Sequence, residues 1–123
     1  MHELSICNAL ISQVEDIARR HAGRPLQVHV GIGPLSGVEP RLLEDAYLLA
    51  RAGTSAQGAR LDIQQVNIRV RCRTCGAESE AAPNRLLCGQ CGDWRTDLLS
   101  GDELLLLRVE LETLEDPNEV AYV

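Results

Sequence analysis

Cys72-Arg73-Thr74-Cys75-Gly76 and Cys88-Gly89-Gln90-Cys91-Gly92 are two C-x-x-C-G knuckles, with twelve residues between the inner cysteines. Each pair turns two sulfurs toward one point, and the intervening segment is long enough to fold the second turn against the first. That is the spacing of a tetrahedral four-thiolate site for structural Zn(II). Gly76 and Gly92 close the turns where a positive φ or a close backbone approach is needed. A redox dithiol or a disulfide pair is the competing assignment, and two matched knuckles at this spacing favour the metal. A site closed by four sulfurs offers no open position for catalysis, so it accounts for shape and stability and leaves function to other residues.

Working outward, the ribbon interrupts a pattern of helices and strands. Leu61 to Val70 reads as a strand whose apolar phase changes, with Leu61 and Ile63 on one face and Val66, Ile68 and Val70 on the other, so a bulge is expected near Gln64-Gln65. Beyond the ribbon, Leu105, Leu107, Val109 and Leu111 alternate with Arg108, Glu110 and Glu112 along a second strand, Leu104 to Glu112. Upstream, Leu26, Val28, Val30 and Ile32 form the apolar face of a third strand, which puts His29 on the polar face as a structural histidine without a role.

Leu4 to His21 carries Cys7, Leu10, Ile11, Val14, Ile17 and Ala18 at three- and four-residue spacings and predicts an amphipathic helix that stops at Gly23. Cys7 within that stripe is expected to be a small buried core residue. Pro40 opens a second helix, with Leu42, Leu43, Ala46, Tyr47, Leu49 and Ala50 on its apolar side, and Gly53 to Gly58 is a loop. The tail from Glu115 onward, with Asp116-Pro117-Asn118, is expected to be loose. The class is α+β: two helices on a three-stranded sheet with an inserted zinc ribbon, residues 71–98, between residues 1–70 and 99–123 of the main domain.

Composition narrows the function. The net charge is −6, which disfavours nucleic acid and anionic membranes as partners, because phosphate binding draws on clustered Lys and Arg. Between Arg69 and Asp97, Arg69, Arg71, Arg73, Arg85 and Arg95 are set against Glu78, Glu80, Asp93 and Asp97. A zinc tetrathiolate brings that module near neutrality, and Trp94 alone makes no stacking platform. No basic leader precedes an apolar run and no stretch approaches transmembrane length. Five cysteines suit four metal-bound thiolates plus one buried thiol in a reducing compartment, so the protein is expected in the cytoplasm. Glu15-Asp16 and Glu44-Asp45 belong to solvated helix faces, no hydrolytic constellation presents itself, and the protein is not expected to be an enzyme.

His2 stands out by position. The α-amine of Met1, the backbone nitrogen of His2 and its ring Nδ1 can close two fused chelate rings on one ion. Planar nitrogen donors of this kind suit Ni(II) or Cu(II) and not tetrahedral zinc. Met1 is expected to remain, since its removal requires a small second residue.

Met1-His2-Glu3 ahead of a Leu/Ile-rich helix, Val28-His29-Val30-Gly31-Ile32-Gly33-Pro34-Leu35-Ser36-Gly37-Val38, Gly53-Thr54-Ser55-Ala56-Gln57-Gly58-Ala59 and the two knuckles occur in this order. Together they resemble the HypA/HybF family of hydrogenase maturation nickel-insertion proteins over nearly the whole chain. The chain departs from the family pattern in having Leu43, Ala46 and Tyr47 where Phe is frequent, and Gly89-Gln90 where Pro is frequent in the second knuckle. These changes affect packing and turn detail and leave the ligand set intact. The resemblance implies a nickel metallochaperone with Ni(II) as transient cargo held by Met1, His2 and Glu3. It implies Zn(II) on Cys72, Cys75, Cys88 and Cys91. It further implies a HypB-type GTPase and the large subunit of a [NiFe] hydrogenase as partners, with urease maturation proteins a second set, since relatives serve both clients. Two other readings stay open on the residues alone: a zinc-ribbon interaction module without nickel, and a rubredoxin-like electron carrier with iron in the same four sulfurs.

Overall fold

The computed structural model describes residues 2–122. In chain order the elements are α1 (His2–Arg20), β1 (Arg24–Ile32), α2 (Pro40–Ala50), β2 (Arg60–Gln65), β3 (Arg69–Cys72), β4 (Glu78–Glu80), β5 (Thr96–Ser100), β6 (Leu104–Glu112) and β7 (Glu119–Tyr122). They form two compact units. One comprises Met1–Val30, Glu39–Gln64 and Leu105–Val123, the other Gly31–Val38 and Gln65–Leu104.

In the first unit the strand order is β2-β1-β6-β7. α1 forms because its apolar residues recur on one face. Cys7, Leu10, Ile11, Val14, Ile17 and Ala18 are all buried, and α1 packs on α2. The helix ends at Arg20, one residue short of the expected His21. Ala22 takes φ 49°, its N–H donates to the Arg19 carbonyl, and the Gly23 N–H donates to the Ala18 carbonyl, a Schellman closure with alanine in the left-handed position. Gly23 is needed for closeness instead, since a Cβ there would lie 3.0 Å from Thr113 Cγ2 and 3.2 Å from Leu111 Cβ.

α2 is capped by the Glu39 carboxylate, which accepts from the Arg41 N–H at 3.2 Å, with Pro40 at the first position. Only part of its expected apolar side is interior. Leu43 and Tyr47 are buried, whereas Leu42 is exposed and Leu49 is 74% exposed, because the helix presents a single narrow stripe to the core. The Tyr47 hydroxyl donates to the Ala59 carbonyl at 3.0 Å, and Ser55 of the intervening loop donates through its N–H and hydroxyl to Glu15.

The α+β class stands, with a fourth strand added to the expected sheet. The tail is not loose: β7 pairs antiparallel with β6, Val109 opposite Ala121, and Ala121 is buried. Asp116-Pro117-Asn118 acts as a turn. Thr113 Oγ1 accepts from the Asp116 N–H at 2.8 Å, and Asp116 Oδ1 accepts from the Asn118 N–H at 2.9 Å.

The second unit holds a three-stranded antiparallel sheet, β4-β3-β5, over Ile68, Val70, Cys72 and Cys88. The expected strand from Leu61 to Val70 is two strands in different sheets, and the change of apolar phase at Gln64-Gln65 marks where the chain leaves one for the other. The irregularity in pairing lies instead at Arg69-Val70, against β5. Gly33 and Gly101 meet backbone to backbone, so that a Cβ on Gly33 would overlap the Gly101 carbonyl at 2.1 Å.

His29 requires a correction. It does lie on the face of β1 opposite Val28 and Val30, but it is 5% exposed and is no free polar residue. Nδ1 sits 2.9 Å from Asp62 Oδ2 of β2, and Nε2 is hydrogen-bonded to Glu110 Oε2 of β6. Each ring nitrogen therefore meets a carboxylate oxygen from a neighbouring strand. The His29 bond, reinforced by Gln64, holds the Asp62 carboxyl below its ordinary range. His29→Ala leaves both carboxylates facing each other without that donor and is expected to cost about 2 kcal/mol in urea unfolding at neutral pH. A depressed carboxyl adds stability above its unfolded value of about 3.9 and loses it as pH falls through its folded value, so native and variant stabilities should converge in acid. Equal stability at pH 7 would show that the bridge carries nothing.

Candidate metal centre

The two knuckles are built alike. In each, the N–H of the first cysteine donates to the carbonyl five residues on: Cys72 to Ala77 and Cys88 to Asp93, both 2.9 Å. The glycine four residues on donates back to the cysteine carbonyl, Gly76 at 3.1 Å and Gly92 at 2.9 Å. Both glycines have the positive φ expected of them, 76° and 74°. The loops so formed aim two N–H groups at the first sulfur of each pair. Thr74 and Cys75 donate to Cys72 Sγ at 3.3 and 3.4 Å, and Gln90 and Cys91 donate to Cys88 Sγ at 3.3 and 3.4 Å.

All four sulfurs lie within 4.8 Å of one another, with Cys72–Cys91 at 3.6 Å and Cys75–Cys88 at 3.5 Å. A metal–sulfur bond of about 2.3 Å sets a tetrahedral edge of about 3.8 Å, so the donor set fits a tetrahedral thiolate ion. Cys72 and Cys88 are buried, while Cys75 and Cys91 are exposed. The amide bonds hold the Cys72 thiol below its ordinary value and bring Cys88 down to about 6, led by the Cys91 N–H and then Gln90. Cys91 is pushed up to about 12: the Asp93 N–H favours its thiolate, but its bond to Cys72, burial and the remaining sulfurs outweigh that. Metal binding to the set must displace whatever protons the sulfurs retain.

Residues around the sulfurs carry no sequence signature of their own. Asp93 accepts from the Thr74 hydroxyl at 2.5 Å and from Arg95, and Arg73 pairs with Asp97 at 2.6 Å. Cys7 is a core thiol, as expected: it is buried, donates to the Leu43 carbonyl at 3.5 Å, and burial raises it to about 11.

The other expected ligands lie at the start of α1. His2 opens that helix and is exposed, and Glu3 falls in its first turn. The amine of Met1 lies outside the described residues.

A family model described as hydrogenase/urease nickel incorporation, metallochaperone, hypA matches residues 1–111, from the terminal His2-Glu3 through both knuckles. The chain belongs to the HypA family. A hydrogenase maturation factor HypA of Nitrosospira multiformis is 50% identical over 114 residues, which cover 92% of this chain and 99% of that protein. One from Aquifex aeolicus is 41% identical over 113 residues, 91% of this chain and 98% of the relative. The solution structure of the Ni metallochaperone HypA from Helicobacter pylori superposes with a TM-score of 0.71 at 25% identity, covering 90% of this chain and 97% of that one. Membership makes this chain a metallochaperone for nickel incorporation in hydrogenase maturation. The reading of the ribbon as a module without nickel is not favoured. No described helix is long and apolar enough to cross a membrane.

Proposed function

We propose that the chain carries Ni(II) at its N-terminus, on the amine of Met1, the backbone and ring nitrogens of His2, and Glu3. The observation that carries this is the placement of His2: it is exposed and opens α1, where the first N–H groups have no intrahelical acceptor. A backbone nitrogen there can lose its proton and ligate nickel without breaking a helical hydrogen bond. The positive end of the helix macrodipole opposes a bound dication, and the acidic Glu3 offsets it. Binding of this kind is releasable, which delivery to an acceptor requires.

The ribbon sulfurs are proposed to hold Zn(II), not iron, as a closed structural site. Zinc supplies a four-way cross-link there, and Cys72, Cys75, Cys88 and Cys91 leave it no vacant position. The chain is then a carrier and not an enzyme, handing nickel to the large subunit of a [NiFe] hydrogenase with a HypB-type GTPase, and open to urease maturation proteins as a second client. Reduced thiolates at the ribbon suit a cytoplasmic setting.

The test is made in cells. With His2→Ala in place of the native protein, the hydrogenase large subunit should lose most of its nickel while the chaperone itself accumulates normally. Unchanged nickel loading would overturn the role of His2.

A further inference from the structure

We propose that Asp93 is a positioning residue of the four-cysteine site, its carboxylate tying the two knuckles together so that bound metal is slow to leave. The inference rests on the metal reading of those sulfurs. It comes from an asymmetry between otherwise matched loops. Ala77 and Asp93 occupy the same place in their knuckles, each carbonyl accepting from the N–H of the first cysteine at 2.9 Å. The backbone task therefore needs no side chain, and alanine performs it at the first knuckle. Asp93 adds a carboxylate that reaches across to the other loop.

That carboxylate is 14% exposed and fully engaged. Oδ2 accepts from the Thr74 hydroxyl at 2.5 Å and from Arg95 Nη2 at 3.0 Å, and Oδ1 accepts from the Arg95 N–H at 2.9 Å and Nε at 3.3 Å. Thr74 lies between Cys72 and Cys75, and its own N–H donates to Cys72 Sγ at 3.3 Å. The chain of bonds thus runs from Cys72 Sγ through Thr74 to Asp93, whose backbone carbonyl accepts from the Cys88 N–H at 2.9 Å, and so links the first cysteine of one knuckle to that of the other. Separating the knuckles to release metal must break the Thr74–Asp93 bond, a short bond to a charged acceptor and so among the stronger kinds. The Arg95 guanidinium fixes the carboxylate in the orientation that Thr74 needs.

The test follows release of zinc from the full chain to the chelating dye 4-(2-pyridylazo)resorcinol, with circular dichroism confirming that each variant is folded. Thr74→Val keeps shape and removes the hydroxyl, and it should speed release by about tenfold, as loss of a charge-assisted hydrogen bond implies. Asp93→Ala should match it, and Thr74→Ser, which restores the hydroxyl, should return the rate toward native. The Co(II)-loaded variants should keep the thiolate charge-transfer absorption of the native protein, showing the same four ligands. Native-like release from folded Thr74→Val, or failure of Thr74→Ser to restore the rate, overturns the positioning role while leaving the metal site standing. Absence of the Co(II)-thiolate absorption in the native protein removes the metal reading and the proposal with it.

Discussion

Cys75→Ala is expected to yield a protein that loses its zinc during dialysis against a chelator and melts at a markedly lower temperature than the native chain. The native protein should retain a single zinc and be colourless, where an iron-thiolate site would be strongly coloured. Cys75 is exposed, so truncating it removes little packing, and the effect must pass through the metal. Its sulfur stands 3.5 Å from Cys88 and shares the site with Cys72 and Cys91. Three sulfurs cannot close the tetrahedron, and metal binding in such small modules is part of the folding free energy. The strands most affected are β3, β4 and β5, short elements of three to five residues that have few apolar side chains to hold them. α1 should persist, because its burial comes from Cys7, Leu10, Ile11, Val14, Ile17 and Ala18. Full zinc retention with native thermal stability in this variant would contradict a structural four-cysteine site.

How far the sequence disclosed this depended on the range of the interactions. The knuckles and the α1 stripe were legible because spacing along the chain alone fixes them: positive-φ glycines follow each pair, and each of the six apolar positions of α1 is buried. What failed was pairing between distant segments. His29 was assigned to the correct face of β1, yet Asp62 and Glu110, thirty-three and eighty-one residues away, engage both nitrogens of its buried ring in a part-buried polar cluster. The same holds for β7, whose Asp116-Pro117-Asn118 preface signals a break in the chain but not the return of the strand beside β6. In α2, apolar residues outnumber the positions that face the core, so composition overstated burial at Leu42 and Leu49. Asp93 and Thr74 look like ordinary turn residues until their side chains are seen to meet.

The larger expected effect concerns nickel. Two residues added ahead of Met1 turn its amine into an amide and displace the first chelate donor, while the imidazole of His2 is untouched. His2→Ala does the reverse, keeping the amine and removing the ring. Each should abolish specific Ni(II) binding without unfolding the protein, because His2 is exposed and contributes nothing to the buried stripe of α1. Acidification should weaken native binding as well, since metal must displace protons from both the amine and the ring. The ribbon thiolates offer a tetrahedral donor set, whereas nitrogen donors in a plane select Ni(II), so the two sites should remain separable. A histidine acting through its side chain alone would survive the extension and fail only on His2→Ala. The decisive measurement is a calorimetric titration of Ni(II) into the zinc-loaded, untagged native chain and into the chain extended by two residues. A terminal chelate predicts one specific binding event in the native chain and none in the extended form. Equal nickel binding by both would contradict it.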